Sequence, residues 1–293
     1  MTIDATLDDV VVSPPGVARP RAARRLSALR LGGHAVLILL SAISIFPVYW
    51  MIVTALRAPN EIYSSALWPT APALDNFAFA LKSLPVGQML VNTIVVATAV
   101  TLMQLATGLL AAFAFARWRF PLDKVLYSFL ALTWLVPFQV TMIPNYLVIV
   151  DLGLLDTLIA LIIPHIASAL AVMLLYQAMR AFPRDIIEAA RIDGASSWSI
   201  LWRIVTPNLR ASVASLAILL FISTWNDYFW PLLLSRTAEN TVIQLGVQMF
   251  LTTEGNLWGP LMAASTLACL PILALYLVLH RQVIGSFMRS GLR

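Results

Sequence analysis

The segment from Glu188 to Pro207 holds the residues whose types and spacing point most directly to chemistry. It lies between two long apolar stretches, yet it contains charged residues, an alanine pair, a glycine and a second stretch with apolar periodicity. A simple loop between apolar stretches rarely has this composition. The segment therefore predicts a folded element at a membrane surface, and it indicates docking to a soluble partner.

This segment divides into two short predicted helices. The first is expected to begin near Pro183, because proline suits the first helical position. Asp185 and Glu188 would then lie near the positive end of the helix dipole. Apolar residues recur at three- and four-residue spacing, which is typical of an amphipathic helix. These positions are Ile186, Ala189 and Ala190.

Gly194 predicts the turn between the two helices, because glycine adopts positive φ without strain. Ser196 is a suitable N-cap for a second helix from 197 to 205, and Pro207 marks the start of the next apolar stretch. The alanine pair would leave a flat face that fits a groove on another protein, with charged residues at the rim. An amphipathic helix lying on lipid headgroups is the alternative.

Polar side chains within the apolar stretches form a second group of candidates. In hydrocarbon each needs a partner, so we expect them to face other helices or a water-filled path. Along a path, amides would bind solute hydroxyls and aromatic rings would contact its ring faces. Hydrogen bonds that join helices are the alternative for each residue. The candidates for the path are Asn92, Gln139, Asn145, Trp225 and Asn226. Gln104, Asp227 and Tyr228 are further polar or aromatic residues of the same stretches.

Motifs of catalysis and cofactor binding are absent from the sequence. It has no G-x-x-x-x-G-K-[ST] run, so the chain does not bind ATP through a P-loop. It also has neither G-x-S-x-G nor H-E-x-x-H. The three histidines lie on different apolar stretches, without metal-ligand spacing, and Cys269 is the sole cysteine. We therefore predict no catalytic residue, metal or cofactor on this chain.

The composition predicts a membrane protein. Of 293 residues, 60% are hydrophobic and 11% charged, whereas roughly a quarter of a soluble domain is charged. A helix needs about 20 apolar residues to cross the hydrocarbon. Continuous rather than alternating apolar runs favour helices over a barrel. We expect an all-α fold with six transmembrane helices, from the uncharged runs 31–56, 83–116, 125–150, 157–179, 211–226 (extended to Ser235) and 255–280.

The basic residues predict the orientation. All lysines and arginines except Arg57, Lys82 and Arg236 fall in the two termini or in the loops after the second and fourth runs. By the positive-inside rule these regions, including both termini, are cytoplasmic. The net charge of +5 thus reflects topology, and no basic stripe interleaved with aromatic residues predicts binding to nucleic acid.

The segment with its flanking stretches resembles a known family. Glu188-Ala189-Ala190, then Gly194, Ile204 and Pro207, match the EAA loop of ABC importer permeases. Further stretches resemble the second permease of carbohydrate importers, the maltose and glycerol-3-phosphate type, and the likeness extends from residue 33 to the end. These stretches are PALDNF at 72–77, Asn92-Thr93, Trp225 to Tyr228, Leu257 to Pro260 and the tail from Arg281.

The resemblance implies a type I ABC importer permease in the bacterial cytoplasmic membrane, a transport subunit rather than an enzyme. It would carry a sugar, oligosaccharide or sugar-phosphate-like solute. ATP and Mg would be bound by a separate ATPase dimer, and the other partners would be a second homologous permease, an extracytoplasmic solute-binding protein and membrane lipid. In this family the EAA loop forms a coupling helix that fits into a cleft of the ATPase. The matching positions are Glu188, Ala189, Ala190, Asp193, Gly194 and Pro207.

These expectations divide the chain into four parts. They are a disordered cytoplasmic tail (1–30), a first transmembrane helix with an extracytoplasmic segment (31–85), the permease domain (86–280) with its coupling loop (183–207), and a cytoplasmic C-terminal tail (281–293). Within them we predict a short amphipathic helix starting at Asp75 and a kinked third span, because that span contains Pro137 and Pro144. The outer loop 234–257 is predicted to reach a docked binding protein or to be a solvated connector.

Two other classes of function would require features of their own. An ion-coupled secondary transporter would need acidic residues at mid-membrane, and Asp227 is the one acidic residue within the predicted spans. That residue is expected near the outer membrane surface. A polytopic membrane enzyme would need clustered polar residues at one interface. The sequence favours neither class over the importer permease.

Overall fold

The first helix begins earlier than predicted. The computed structural model describes residues 21–252 and 255–290, so predictions for 1–20 and 291–293 lie outside the described residues. α1 runs over Arg21–Ala55, so it includes residues 21–30 of the segment assigned to a cytoplasmic tail, and the division of the chain into four parts stays a prediction. Arginine, alanine and leucine dominate those ten residues, and all three are strong helix formers. Residues 21–50 belong to one compact unit.

The second unit, residues 51–293, is built around one long helix. α3 (Val86–Arg117) packs against α7 (Ala169–Arg180) and α11 (Arg210–Trp225), and α11 in turn packs against α14 (Trp258–Ser290). About 48 Å long at 1.5 Å per residue, α3 is lined along its length by buried side chains that belong to three of the apolar clusters.

Several predicted spans are broken. α4 (Asp123–Thr133) and α5 (Phe138–Asp151) meet at 93°, and α6 (Leu158–Ile162), with a 3₁₀ turn to His165, meets α7 at 47°. The kink predicted in the third span falls at Pro137, the N-cap of α5, while Pro144 lies inside α5. A residue before proline disfavours the helical conformation, which accounts for the break at 134–137.

The fifth span also departs from the prediction. α11 stops at Trp225, residues 226–228 are non-helical, and α12 follows at Phe229–Leu234. A continuous helix over 211–226 and its extension to Ser235 is therefore wrong. The carboxylate of Asp227 accepts hydrogen bonds from the backbone N–H groups of Phe229 (3.0 Å) and Trp230 (3.4 Å), so it caps the new helix.

By length and composition, three described helices could each cross a membrane: Gly32–Ala55, Val86–Arg117 and Trp258–Val278. Three bent pairs raise the number to six if each pair is one span: 123–133 with 138–151, 158–165 with 169–180, and 197–208 with 210–225. Mostly helical architecture is confirmed, whereas six spans and cytoplasmic termini stay predictions.

Short elements occupy the remaining segments. α2 (Asp75–Ser83) is the predicted amphipathic helix, and it packs on α14. The chain before α2 is organised by the buried guanidinium of Arg57, which donates to the backbone carbonyls of Ser64 and Ala66. α13 (Ile243–Gln248) precedes an antiparallel hairpin of β1 (Leu251–Thr252) and β2 (Gly255–Asn256). The all-α prediction omitted this small hairpin.

Candidate functional site

Residues 183–207, here called the coupling segment, begin with an amphipathic helix. α8 spans Arg184–Ile192, with Pro183 as its N-cap rather than its first residue. Gly194 has φ +80°. The N–H of Ala195 donates to the carbonyl of Ala190 (2.9 Å), and that of Gly194 donates to Arg191 (3.0 Å). These two bonds are the Schellman motif of a helix that ends at a left-handed residue, so the glycine turn predicted from the sequence is confirmed.

The second helix of the coupling segment starts where it was predicted. The hydroxyl of Ser196 accepts a hydrogen bond from the N–H of Ser199 (3.3 Å), which confirms the N-cap. The helix continues through a π-helical turn (Ile200–Val205) to Asn208. Pro207 therefore lies inside it, and the predicted end at 205 is wrong. Proline is tolerated there because it sits in the first turn of a new α-helical stretch, α10 (Thr206–Asn208).

The predicted alanine face does not exist. Ala190 and Ile187 are buried in the chain's own core, whereas Ala189 and Ile186 are exposed. Successive residues of an α-helix point about 100° apart, so the two neighbouring alanines cannot share one flat surface. Only Ala189 remains available to a partner protein.

Large apolar side chains are exposed on the coupling segment instead. Ile192 is 86% exposed and Trp198 is 64% exposed. The ring of Trp198 lies edge-on to that of Trp202, with 5.6 Å between centroids. Large exposed apolar side chains on an otherwise polar element are candidates for an interaction site. The sequence showed these residues, but the expected docking surface was placed on the alanines.

The charged candidates lie on the same segment. Glu188 and Asp193 are both exposed. Glu188 is four residues after Arg184 and three before Arg191, so the three side chains are neighbours along one face of α8, and all three line the same groove. The coupling segment thus exposes large apolar side chains as well as a charged face of α8.

Both helices of the coupling segment are fixed to the membrane-spanning part by apolar packing. Ile187, Ala190, Ile200, Leu201 and Val205 belong to one buried cluster. The same cluster contains residues of α3, α7 and α11, namely Leu105, Leu109, Phe113, Leu175, Met179, Leu216 and Leu220. The coupling segment therefore shares a close-packed core with three long helices.

Two of the candidates for a solute path are buried. Asn92 is 2% exposed, and its Nδ2 donates to the carbonyls of Glu239 and Thr241 at 2.8 Å each. Its Oδ1 accepts from Nε2 of Gln88 at 2.9 Å. Trp225 is fully buried against Phe221. In this conformation the structure places both in the protein core, so neither lines an open path.

The other three path candidates are accessible. Gln139 and Asn226 are exposed and Asn145 is half-buried. Nδ2 of Asn226 donates to the carbonyl of Ile222 (2.9 Å), and its Oδ1 accepts from Gln244 (3.4 Å). The ring centroids of Phe138 and Phe229 are 5.0 Å apart. This contact brings together the helix breaks beside Gln139 and Asn226. Non-helical backbone at membrane depth occurs where it is buried in protein or lines a water-filled cavity.

Sequence reasoning missed the residues that hold the outer loop, defined here as residues 235–257. The hydroxyl of Thr93 accepts from the N–H of Ile243 (2.9 Å) and donates to the carbonyl of Met89 (2.6 Å). Asp156 accepts from the N–H groups of Arg236 (2.7 Å) and Thr237 (3.0 Å) and from the side chain of Asn240. No local sequence pattern links Asp156 to residues 80 positions later.

The hydrogen bonds to Asp156 lower its pKa from 3.8 to about 2, chiefly through the backbone N–H of Arg236. A carboxyl group whose pKa falls on folding stabilises the fold fully above its ordinary pKa. That contribution disappears as the pH falls from about 4 through about 2. The link between the 151–156 turn and the outer loop is therefore intact at neutral and mildly acidic pH.

The described residues contain no group of three or more histidine, cysteine, aspartate or glutamate side chains placed to hold a metal ion. The distinctive parts of the site are the anchored coupling segment and the accessible amides beside the helix breaks.

Comparison with known proteins gives the family. Residues 104–286 match the family described as "binding-protein-dependent transport system inner membrane component". The chain belongs to this family.

Named relatives of this permease are transport proteins. It is 30% identical over 257 residues to the lactose transport system permease protein of Rhizobium radiobacter, covering 88% of this chain and 94% of that one. It is 33% identical over 272 residues to the sn-glycerol-3-phosphate transport system permease protein of Escherichia coli O1:K1, covering 89% and 97%. The resemblance to sugar and glycerol-phosphate importer permeases is thus confirmed.

The fold of this permease is also found in a solved structure. The match is to a chain of a bacterial ABC transporter involved in the import of the acidic polysaccharide alginate, with a TM-score of 0.76 and 21% sequence identity. It covers 89% of this permease and 98% of that chain. The ABC importer permease fold predicted from the sequence is confirmed.

Proposed function

We propose that this chain is a permease subunit that moves a carbohydrate or sugar-phosphate-like solute across the bacterial cytoplasmic membrane, driven by ATP hydrolysis on a separate ATPase. The observation that carries the proposal is the coupling segment. It buries one side in the core of the spans and exposes Ile192 and Trp198 on the other. A surface of this kind suits a groove on a soluble partner.

The packing of the coupling segment supports a mechanical role. Leu201 and Val205 share a buried cluster with residues of α3, α7 and α11. Protein interiors are close-packed and transmit strain, so a displacement of the segment by the ATPase has to move those three helices. In this mechanism ATP and Mg stay on the ATPase, and this chain supplies the rigid connection and performs no catalysis.

The accessible amides support a hydroxylated solute. Gln139, Asn145 and Asn226 offer both donors and acceptors, and Gln139 and Asn226 flank the helix breaks that Phe138 and Phe229 bring together. The relatives named for lactose and for sn-glycerol-3-phosphate suggest solutes rich in hydroxyl groups. A second permease and a solute-binding protein would complete the path, and Asn92 and Trp225 would maintain its walls instead of touching solute.

The decisive experiment replaces one exposed apolar residue of the coupling segment, Ile192, with a charged residue. In the full importer, expressed with the subunits encoded beside it, Ile192→Glu should reduce co-purification of the ATPase and abolish uptake. Burying an unpaired carboxylate in an apolar groove is costly, and Ile192 is exposed in the isolated chain, so insertion and folding should be preserved. Uptake is measured with labelled lactose and sn-glycerol-3-phosphate.

Leu152→Glu is the matched control, because Leu152 is 58% exposed and lies in the turn after α5, away from the coupling segment. The importer with this variant should co-purify with the ATPase and take up solute normally. Glu188→Lys should also abolish uptake if Glu188 meets a basic group of the ATPase. Normal ATPase retention and normal uptake in Ile192→Glu would overturn the proposal, as would solute flux driven by an ion gradient in vesicles without the ATPase.

A further inference from the structure

A broad groove lies beside the coupling segment. It has a volume of about 630 Å³ and is formed by the end of α3, the turn after it, the start of α4, the end of α7 and one face of α8. All these elements belong to the second compact unit. The groove therefore lies where α3 and α7 end, at the level at which the apolar part of the membrane-spanning helices gives way to polar residues.

Positive charge dominates the lining of this basic groove. Six basic side chains and two carboxylates line it, which leaves an excess of four positive charges. One of the carboxylates, Asp123, lies 3.9 Å from the guanidinium of Arg119. The lining side chains with charge are Arg117, Arg119, Lys124, Arg180, Arg184 and Arg191, with Asp123 and Glu188.

The basic groups are held in place by contacts that do not neutralise them. Nη2 of Arg117 donates to the carbonyl of Met179 (2.9 Å), and its guanidinium lies 6.0 Å from the ring of Phe182. It is repelled by the like charges of Arg184 and Arg191. The guanidinium of Arg180 lies 5.7 Å from the ring of Tyr176. An anion bound among these groups would relieve their mutual repulsion.

The surroundings of the basic groove match the membrane interface. Trp118 and Tyr127 are part of its lining, and tryptophan and tyrosine concentrate at the headgroup level of membranes. Tyr127 packs on Tyr176 with 4.5 Å between ring centroids. α4, which contributes Lys124 and Tyr127 to the groove, also exposes a run of large apolar side chains: Val125, Leu126, Phe129 and Leu132.

We propose that the basic groove binds the phosphate headgroup of an anionic phospholipid, with the acyl chains lying along the exposed apolar face of α4. A small free anion would use the charges but not that apolar face. Clusters of basic residues at the ends of membrane helices bind anionic headgroups in this way. Because Arg184, Glu188 and Arg191 belong to α8, the bound lipid also supports the flank of the coupling segment. The proposal requires membrane-spanning helices but not the transport role proposed above.

The test measures lipid retention by the intact importer. The complex is purified in a non-ionic detergent and titrated with phosphatidylglycerol or phosphatidylcholine, and native mass spectrometry counts the lipids retained. Each basic residue near an anionic surface contributes about a fivefold factor in binding. Lys124→Gln with Arg184→Gln, both at exposed positions, should therefore weaken phosphatidylglycerol retention on the order of 25-fold. Phosphatidylcholine retention should not change.

A double variant with the same charge change serves as control. Arg203→Gln with Arg210→Gln removes two exposed arginines that do not line the basic groove, and it should retain phosphatidylglycerol normally. Equal retention by the groove variant and this control would overturn the proposal. Competition by millimolar inorganic phosphate would overturn it in favour of a free anion. Loss of the ATPase from the groove variant, with lipid retention unchanged, would overturn it in favour of a protein-docking surface.

Discussion

The coupling segment and the outer loop are both connections between long helices, and both bury apolar side chains, but the outer loop is also tied by side-chain hydrogen bonds to other elements. The coupling segment is held by apolar side chains such as Ile187, Ile200 and Leu201, buried in one cluster. The outer loop is also held by directional hydrogen bonds at its backbone: Asn92 donates to its carbonyls, and Thr93 and Asp156 accept from its N–H groups. The two anchors therefore fail in different ways.

This difference indicates what each connection has to do. Apolar packing is non-directional and depends on filled volume, so the coupling segment can move together with the helices it packs on while keeping its contacts. Hydrogen bonds depend on distance and angle, so the outer loop is held in one register relative to α3. We infer that the coupling segment transmits displacement and that the outer loop holds a fixed shape.

The largest effect is expected from a cavity beneath the coupling segment. Leu201 is 2% exposed, and truncating a buried leucine to alanine costs about 2–5 kcal/mol. Leu201→Ala should lower the thermal unfolding midpoint and speed hydrogen exchange across residues 184–208, leaving the outer loop protected. Arg203→Ala, at an exposed position of the same helix, is the control. Equal behaviour of the two variants would contradict the apolar anchor.

A smaller effect is expected from breaking the outer anchor. Asn92→Leu keeps the side-chain volume similar but leaves the carbonyls of Glu239 and Thr241 without their donor, a cost of about 1–3 kcal/mol. Hydrogen exchange should rise in residues 236–245 and stay unchanged in the coupling segment. Gln88→Ala, which removes only the bond to Oδ1 of Asn92, should have a weaker effect. Faster exchange in the coupling segment would show that the anchors are not independent.

The smallest and most selective effect compares two left-handed glycines. Gly194 (φ +80°) lies in the coupling segment and Gly153 (φ +66°) in the turn after α5, and no neighbouring atom would contact an added Cβ at either position. Alanine at either position costs about 1–2 kcal/mol of backbone strain. The thermal shifts of Gly194→Ala and Gly153→Ala should therefore match. Solute-stimulated ATPase activity should fall only in Gly194→Ala, and an equal fall in both would show that the turn has no special part in coupling.

Much of the fold was predictable because local patterns encode it. The glycine turn at Gly194 and the N-cap at Ser196 depend on conformational preferences of single residues and their near neighbours. The helical spans follow from apolar runs that need to satisfy their own backbone hydrogen bonds. The α2 start at Asp75 and the family resemblance followed from sequence as well, and each was confirmed.

Other features depend on distant parts of the chain. Asn92 has the composition of a solute contact, yet its donors are used by carbonyls 147 and 149 residues later. No local sequence pattern indicates that Ala190 faces the core and that Ala189 does not. That choice depends on where α3, α7 and α11 lie.

The sequence by itself determined that this chain is a helical membrane permease with a folded segment between two apolar stretches, because apolar runs, basic loops and the Glu188-to-Pro207 pattern are local properties. Only the tertiary structure decided which face of that segment is free, where the spans break and which polar groups remain accessible. Burial and hydrogen bonding are set by contacts between residues far apart in the chain, and such contacts exist only once the helices have packed.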